Sequence, residues 1–202
     1  MAISSTFIIL LIYYLIGAFP TGYLIAKHHG INLYRQGSGN VGATNVARVV
    51  GKVAGLATLI IDCSKGFFPL WLAYLFPLNP RVLALCAVAL VAGHCFSIPK
   101  YLRGGKGVAT SLGTALYLCL PGALVGVAVF AAVFSASRIV SLASVSAVLL
   151  TPLFALATGY ADTTTLPLVV IGLLVVYRHK LNLKRLIEGT EAKFSTAKKP
   201  AQ

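Results

Sequence analysis

Only four carboxylates occur in this chain of 202 residues: Asp62, Asp162, Glu188 and Glu191. A magnesium or two-metal phosphotransfer site needs several carboxylates at one place, and four acids this scattered do not supply them. The sequence therefore predicts no metal. A Walker loop is missing too, because Gly104-Gly105-Lys106-Gly107 lacks the preceding glycine spacing and the following Ser or Thr, which argues against ATP hydrolysis. The four cysteines, Cys63, Cys86, Cys95 and Cys119, show neither CxxC nor Cys/His spacing. They read as buried reduced thiols rather than a disulfide frame or a zinc site.

What is abundant is apolar surface. Hydrophobic residues make up 58% and charged residues 10%, and the mean hydropathy is +0.88. This is the composition of an integral membrane protein. The long Leu/Val/Ala runs do not alternate as barrel strands do, and backbone crossing a bilayer must satisfy its own hydrogen bonds, so the spans should be helices. Seven are expected, near residues 4–26, 53–76, 81–100, 107–120, 121–136, 139–158 and 164–178. The fourth and fifth, parted at Leu120-Pro121-Gly122, fall below the ~20 residues usual for crossing. Their alternative is a single broken or re-entrant hairpin. Lys27 closes a full-length apolar span, so the first helix reads as retained rather than as a cleavable leader.

Cations collect on the cytoplasmic side of membrane proteins. With the N-terminus outside and seven crossings, the inner loops hold Lys27, Arg35, Arg48 and Lys52, then Lys100, Arg103 and Lys106, then Arg138. The inner tail holds Arg178, Lys180, Lys184, Arg185, Lys193, Lys198 and Lys199, so 15 of the 17 cations lie inside. Arg81 alone falls outside, and Lys65 lies within a span. A net charge of +13 also suits anionic lipid headgroups. No nucleic-acid partner is expected.

Two glycine-rich segments stand on that inner face: Gly37-Ser38-Gly39-Asn40-Val41-Gly42-Ala43-Thr44-Asn45 and Arg103-Gly104-Gly105-Lys106-Gly107-Val108-Ala109-Thr110. Glycine lets successive N–H groups turn toward one anion, while Ser, Thr, Asn and cations add donors and charge. The pair points to phosphate binding. Asp62 and Lys65, three apart on one helix face, are a mutually neutralising pair or a brace for a polar cavity, and His94 near the inner end of span three reads as a packing histidine. After span seven, Tyr177-Arg178-His179-Lys180-Leu181-Asn182 is read as a continuing helix with His179 and Asn182 on one face. Leu181, Leu183, Leu186 and Ile187 would let it lie at the interface.

These motifs together resemble the bacterial acyl-phosphate-dependent glycerol-3-phosphate acyltransferases. Gly37 to Asn45 is similar to the family's first cytoplasmic motif, Gly93-His94 through Thr110 to the second, and Arg178-His179-Lys180-Leu181-Asn182 with Arg185-Leu186 and Gly189 to the third. Arg138-Ile139-Val140-Ser141-Leu142-Ala143-Ser144 is also similar. The resemblance covers residues 1–194 as one polytopic domain and leaves 195–202 as a short polar tail. It implies seven helices with the N-terminus outside, a bacterial cytoplasmic (inner) membrane location and a site facing the cytoplasm. The implied reaction moves a fatty acyl group from acyl phosphate to the 1-hydroxyl of glycerol 3-phosphate, giving lysophosphatidic acid and phosphate. The implied reaction needs no cofactor, and an enzyme that makes acyl phosphate is the implied functional partner.

Residue by residue, the resemblance implies Lys106, Ser141, His179 and Asn182 as catalytic residues. It implies Ser38, Gly39, Asn40, Asn45, Arg48, Gly104, Gly105, Gly107 and Thr110 as substrate-binding. Lys106 and the Gly104–Gly107 amides would take the acyl phosphate; Arg48, Ser141, His179 and Asn182 would take glycerol 3-phosphate. A His-x4-Asp pair is absent, since Leu33, Tyr34, Pro99 and Lys184 stand five beyond His28, His29, His94 and His179. The favoured base is thus a substrate phosphate oxygen, with His179 acting alone as the alternative. The rival function is a transporter or channel for a phosphorylated solute. Against it, no inverted repeat is visible and the polar loops lie on one side.

Overall fold

The computed structural model describes residues 3–76, 78–97 and 104–194. Lys100 and Arg103, the last three residues of the expected third span and the tail 195–202, with Lys198 and Lys199, lie outside the described residues. Ten α-helices and two 3-10 turns, with no strand, make up the described residues. In chain order they are α1 (Ile3–Gly17), α2 (Thr21–His28), α3 (Ala43–Val49), α4 (Lys52–Leu72) and α5 (Pro80–Cys95). The rest are α6 (Val108–Leu118), α7 (Leu120–Ser137), α8 (Val140–Ala157), α9 (Asp162–Arg178) and α10 (Lys180–Ile187).

Each expected span has a helix in its place, but the lengths differ. Ser5–His28, Lys52–Leu75, Leu120–Ser137 and Val140–Ala157 are long and apolar enough to cross a bilayer. Pro80–Cys95 and Val108–Leu118 are shorter apolar helices, and α9 reaches crossing length only together with α10. Four spans, or five with that pair, meet the length requirement. The expected break between spans four and five falls at Cys119, whose backbone leaves the helical region at φ −151° and ψ 80°, with Pro121 in the first turn of α7 where a missing N–H is harmless. The helices turn apolar side chains outward, Phe7, Leu24, Trp71, Leu153 and Leu173 among them, as lipid-facing surfaces do.

Small residues set the helix spacing. A Cβ added at Gly113 would stand 2.0 Å from the Cys63 carbonyl oxygen, and one at Gly66 2.2 Å from that of Thr110, so α4 and α6 cross with their backbones in contact. Without a hydrophobic driving force between helices in lipid, such close packing is what holds them together. Cys86, Cys95 and Cys119 are buried free thiols and Cys63 is partly buried, as their apolar neighbourhoods predicted.

The segment after Arg178 departs from the continuous helix expected of it. The axis bends by 62° between α9 and α10. At the bend the His179 N–H is shared between the Val175 and Val176 carbonyls, and His179 Nδ1–H donates to the Val175 oxygen at 2.8 Å. An amphipathic α10 following an apolar α9 accounts for the turn: Lys184 and Leu181 face out, while Asn182 is buried.

Candidate active site

The first glycine segment is organised from within by Asn45, at the start of α3. Its Oδ1 accepts from the Ser38 N–H at 2.9 Å, and its Nδ2 donates to the Gln36 and Asn40 carbonyls at 3.1 and 2.9 Å. The Asn40 side chain in turn accepts from the Gly42 N–H at 2.8 Å. Gly37 and Gly39 hold φ of 59° and 68°, the left-handed region that glycine enters freely, and the turn depends on them. Asn45, expected to touch substrate, thus braces the loop with its side-chain amide, and Gly39 contributes a turn.

The second glycine segment is clamped from two sides. Gly105 N–H donates to the His94 carbonyl at the end of α5 (2.9 Å). Arg178 donates through Nε to the Gly105 oxygen at 3.1 Å and through Nη2 to the Gly104 oxygen at 2.9 Å, while its guanidinium stacks on Phe96. Gly107 then turns with φ 85° to open α6, whose first-turn N–H groups lack intrahelical acceptors. Lys106 is thus held between a fixed turn and a helix start. Thr110 lies one turn into α6, fully buried, and its Oγ1 has no hydrogen-bond partner.

Between the two segments and α10 lies a cavity of about 270 Å³, lined by Ser38, Asn40, Lys106 and Asn182, with Arg178, Lys180 and Arg185 adding charge. Lys106 Nζ donates to Asn182 Oδ1 at 2.6 Å, joining the second motif to the third. Burial pushes the Lys106 ammonium down to about 8; Glu191 opposes the shift, and Arg185, Arg178 and Arg48 reinforce it. Arg48 thus acts on the site through its field, from the last turn of α3. His179, at the junction of α9 and α10, is buried and held near 4 by burial and by the Lys106 charge, so its imidazole is neutral at neutral pH. With Nδ1–H on the Val175 carbonyl, its Nε2 carries the lone pair.

Glu191 is the residue that sequence reasoning missed. Its Oε1 accepts from Asn182 Nδ2 at 2.5 Å and from Ser141 Oγ at 2.6 Å, and its Oε2 from Arg185 Nε at 2.7 Å. Burial alone would raise its pKa, but bonds from Ser141, Arg185 and Asn182 outweigh burial and hold it below the ordinary carboxylate value. The chain reaches this position by folding back after α10. Phe194 N–H donates to the Arg138 carbonyl at 2.7 Å, and its ring meets Phe134. Arg138 itself sits in the left-handed region at φ 61°, making the tight α7–α8 turn that presents Ser141. Ser141 therefore joins the site through Glu191. An isolated acid in a strongly basic tail was the available signal.

An apolar groove of about 280 Å³ runs between α4 and α6–α9 and begins at Val108 and Ala109, directly after the Lys106 turn. It continues past Leu112, Ala123, Gly126 and Phe130. A cationic cavity and an apolar groove thus adjoin at one loop, which fits an amphiphile with an anionic head.

Comparison with known proteins agrees with this geometry. The family model described as glycerol-3-phosphate acyltransferase matches residues 7–189. A glycerol-3-phosphate acyltransferase of Endomicrobium trichonymphae is 42% identical over 191 residues, covering 94% of this chain and 96% of that one. The crystal structure of PlsY (YgiH), an integral membrane glycerol 3-phosphate acyltransferase, in its glycerol 3-phosphate form superposes with a TM-score of 0.89 at 39% identity, covering 95% and 96% of the two chains. Its lysophosphatidic acid form gives 0.87 at 38% identity with the same coverage.

Proposed function

Because this chain belongs to the glycerol-3-phosphate acyltransferase family, we propose that it acylates the 1-hydroxyl of glycerol 3-phosphate with acyl phosphate as donor, releasing lysophosphatidic acid and inorganic phosphate. The junction of groove and cavity at Lys106–Val108 carries this reading. It allows a fatty chain to lie among the helices while its phosphate meets Lys106 and the Gly104–Gly107 backbone. Ser38, Asn40, Asn182 and Arg185 are then left for the second phosphate. The similar PlsY enzyme in its glycerol 3-phosphate and lysophosphatidic acid forms supports the same acceptor and product here.

The chemistry needs little beyond positioning. The 1-hydroxyl oxygen attacks the acyl carbon, the new ester C–O bond forms, the C–O bond to phosphate breaks, and the hydroxyl proton leaves with a phosphate oxygen whose pKa lies near neutrality. Lys106 and the loop amides stabilise charge developing on the carbonyl and the departing phosphate. Neutral His179, with Nε2 unprotonated, is suited to orient the hydroxyl or to accept its proton. No step calls for a metal.

The charge distribution supports seven crossings with the N-terminus outside, a bacterial inner-membrane location and a cavity open to the cytoplasm. In such an arrangement α5 and α6 cross as short helices and α10 lies along the inner surface. The decisive assay is detergent-purified protein with acyl phosphate and glycerol 3-phosphate. The expected result is lysophosphatidic acid without a sealed membrane, lost on Lys106→Ala, His179→Ala or Asn182→Ala. Wild-type turnover in all three variants overturns the site assignment, and product from coenzyme A thioester but not acyl phosphate overturns the donor. Solute flux without product would favour the transporter.

A further inference from the structure

A buried ionic chain stands behind the second glycine segment, and acyl transfer as written above makes no use of it. Asp62 and Lys65, both nearly inaccessible on α4, pair at 2.8 Å, and Asp62 Oδ1 lies 3.7 Å from His94 Nδ1. The His94 ring presses on Gly105: a Cβ there would stand 2.2 Å from Nε2, which only a shift of the ring or the turn could relieve. His94 also holds that turn through its carbonyl. The imidazole of His94 is thus the surface on which the Gly104–Gly105 turn rests.

At its other end the chain reaches the first glycine segment. Lys65 Nζ donates to the Phe19 carbonyl at 2.9 Å, in the break between α1 and α2, where Pro20 offers no N–H. From that break α2 leads to Gly22, where a Cβ would stand 1.9 Å from the Val41 carbonyl, one residue past Asn40. Phe19, Lys65, Asp62, His94 and Gly105 therefore connect the seat of one cradle to the seat of the other. Stability alone gives little reason for such a chain, since well-packed apolar side chains of similar volume commonly replace a buried ion pair without loss. Charges within a span are costly and tend to be functional. What an apolar replacement lacks is direction: the ammonium is aimed at one carbonyl and the carboxylate at one ring.

We propose that Asp62, Lys65 and His94 are positioning residues that fix the separation of the two phosphate cradles and the angle at which Lys106 enters the cavity. The proposal rests on the acyl-transfer function and adds to it three residues that touch neither substrate. Misplacement by about 1 Å in such a site can reduce turnover by up to about a hundredfold. The loss should be seen first in binding of phosphate groups, because the cradles move apart while the groove is unchanged.

The test compares wild-type protein with Asp62→Leu/Lys65→Met, which removes both charges together, and with His94→Gln, which leaves the ion pair intact. Three quantities are read: melting temperature, KM and kcat for each substrate, and the concentration of inorganic phosphate that protects Lys106 from trinitrobenzenesulfonate, followed on the Lys106 peptide by mass spectrometry. The expected result is a near-wild-type melting temperature, KM for acyl phosphate raised about tenfold and a matching rise in the protecting phosphate concentration. A folded variant with unchanged KM and unchanged protection overturns the proposal. If the double variant fails to fold, His94→Gln decides by the same criteria. Failure of phosphate to protect wild-type Lys106 also overturns it. If wild-type protein makes no lysophosphatidic acid while phosphate still protects Lys106 and the variants weaken that protection, the acyl-transfer function falls and the positioning chain stands.

Discussion

Replacing Glu191 with Gln probes the centre of the site without changing its volume. Glu191 takes one bond on Oε2 from Arg185 and two on Oε1 from Ser141 and Asn182. A Gln can keep its oxygen toward Ser141 and Asn182, but its NH2 then faces the Arg185 Nε–H, donor against donor. At least one hydrogen bond to a charged group is lost, worth about 1.5–3 kcal/mol. If that energy holds Asn182 and Arg185 in place for the transition state, kcat/KM falls between about tenfold and about a hundredfold.

The pH profile separates this account from general damage. Glu191 is one of the groups that keep the Lys106 pKa from falling further, so losing its charge lowers that pKa below about 8. The alkaline limb of kcat/KM, where Lys106 gives up its proton, should move to lower pH. Glu191 itself has a depressed pKa, so its contribution is fully present above the ordinary value of 4.5 and is lost as pH falls through the lowered one. Across the neutral range the carboxylate is charged, and the loss in Glu191→Gln should not vary there apart from the moving limb. Steady-state formation of lysophosphatidic acid against pH checks both points. A variant with kcat/KM within about twofold of wild type and an unmoved alkaline limb refutes the role assigned to Glu191.

Lys106→Arg should abolish the alkaline limb near pH 8, because a guanidinium does not titrate there, while the changed reach lowers kcat; a limb that persists in the pH–rate profile assigns it to another group. Asn45→Ala removes three bonds inside the first glycine segment, each worth about 1 kcal/mol net, and should raise KM for glycerol 3-phosphate more than it lowers kcat, as initial-rate kinetics with both substrates would report. Gly113→Ala sets a methyl 2.0 Å from the Cys63 carbonyl and should destabilise the α4–α6 crossing by about 1–3 kcal/mol, seen as a lower melting temperature in detergent.

The sequence made legible whatever is local. The helices lie where apolar runs predicted them, and Ser38, Asn40, Lys106 and Asn182 meet in one cavity, as the motifs implied. What was not legible depends on contacts distant in sequence. Ser141 and Glu191 are 50 residues apart, and Arg178 reaches back 74 residues to the Gly104 carbonyl. No periodicity encodes either contact. The bracing part of Asn45 was not legible because an Asn in a glycine-rich loop has the same donors whether they face a ligand or the loop's own carbonyls. The bend at His179 was missed for a related reason: the 3.6-residue pattern that puts His179 and Asn182 on one face survives a 62° change of axis, and both side chains still end buried.

Carboxylate scarcity acquires its explanation from where the four acids stand. Asp62 is neutralised by Lys65, Glu188 pairs with Lys184 at the surface, and Asp162 occupies the first turn of α9, where the helix dipole favours a negative charge. Only Glu191 lies beside the cavity, and three donors already hold it. A free carboxylate among Lys106, Arg178, Lys180 and Arg185 would oppose the two phosphate groups of the proposed reaction, and at close range in a partly buried site that repulsion would amount to several kcal/mol. If the proposed acyl transfer brings two phosphate-bearing substrates together here, acids have to be kept out of the cavity or bound fully. The same constraint explains why the acid that does enter is placed to orient Ser141, Asn182 and Arg185 rather than left to face the substrates.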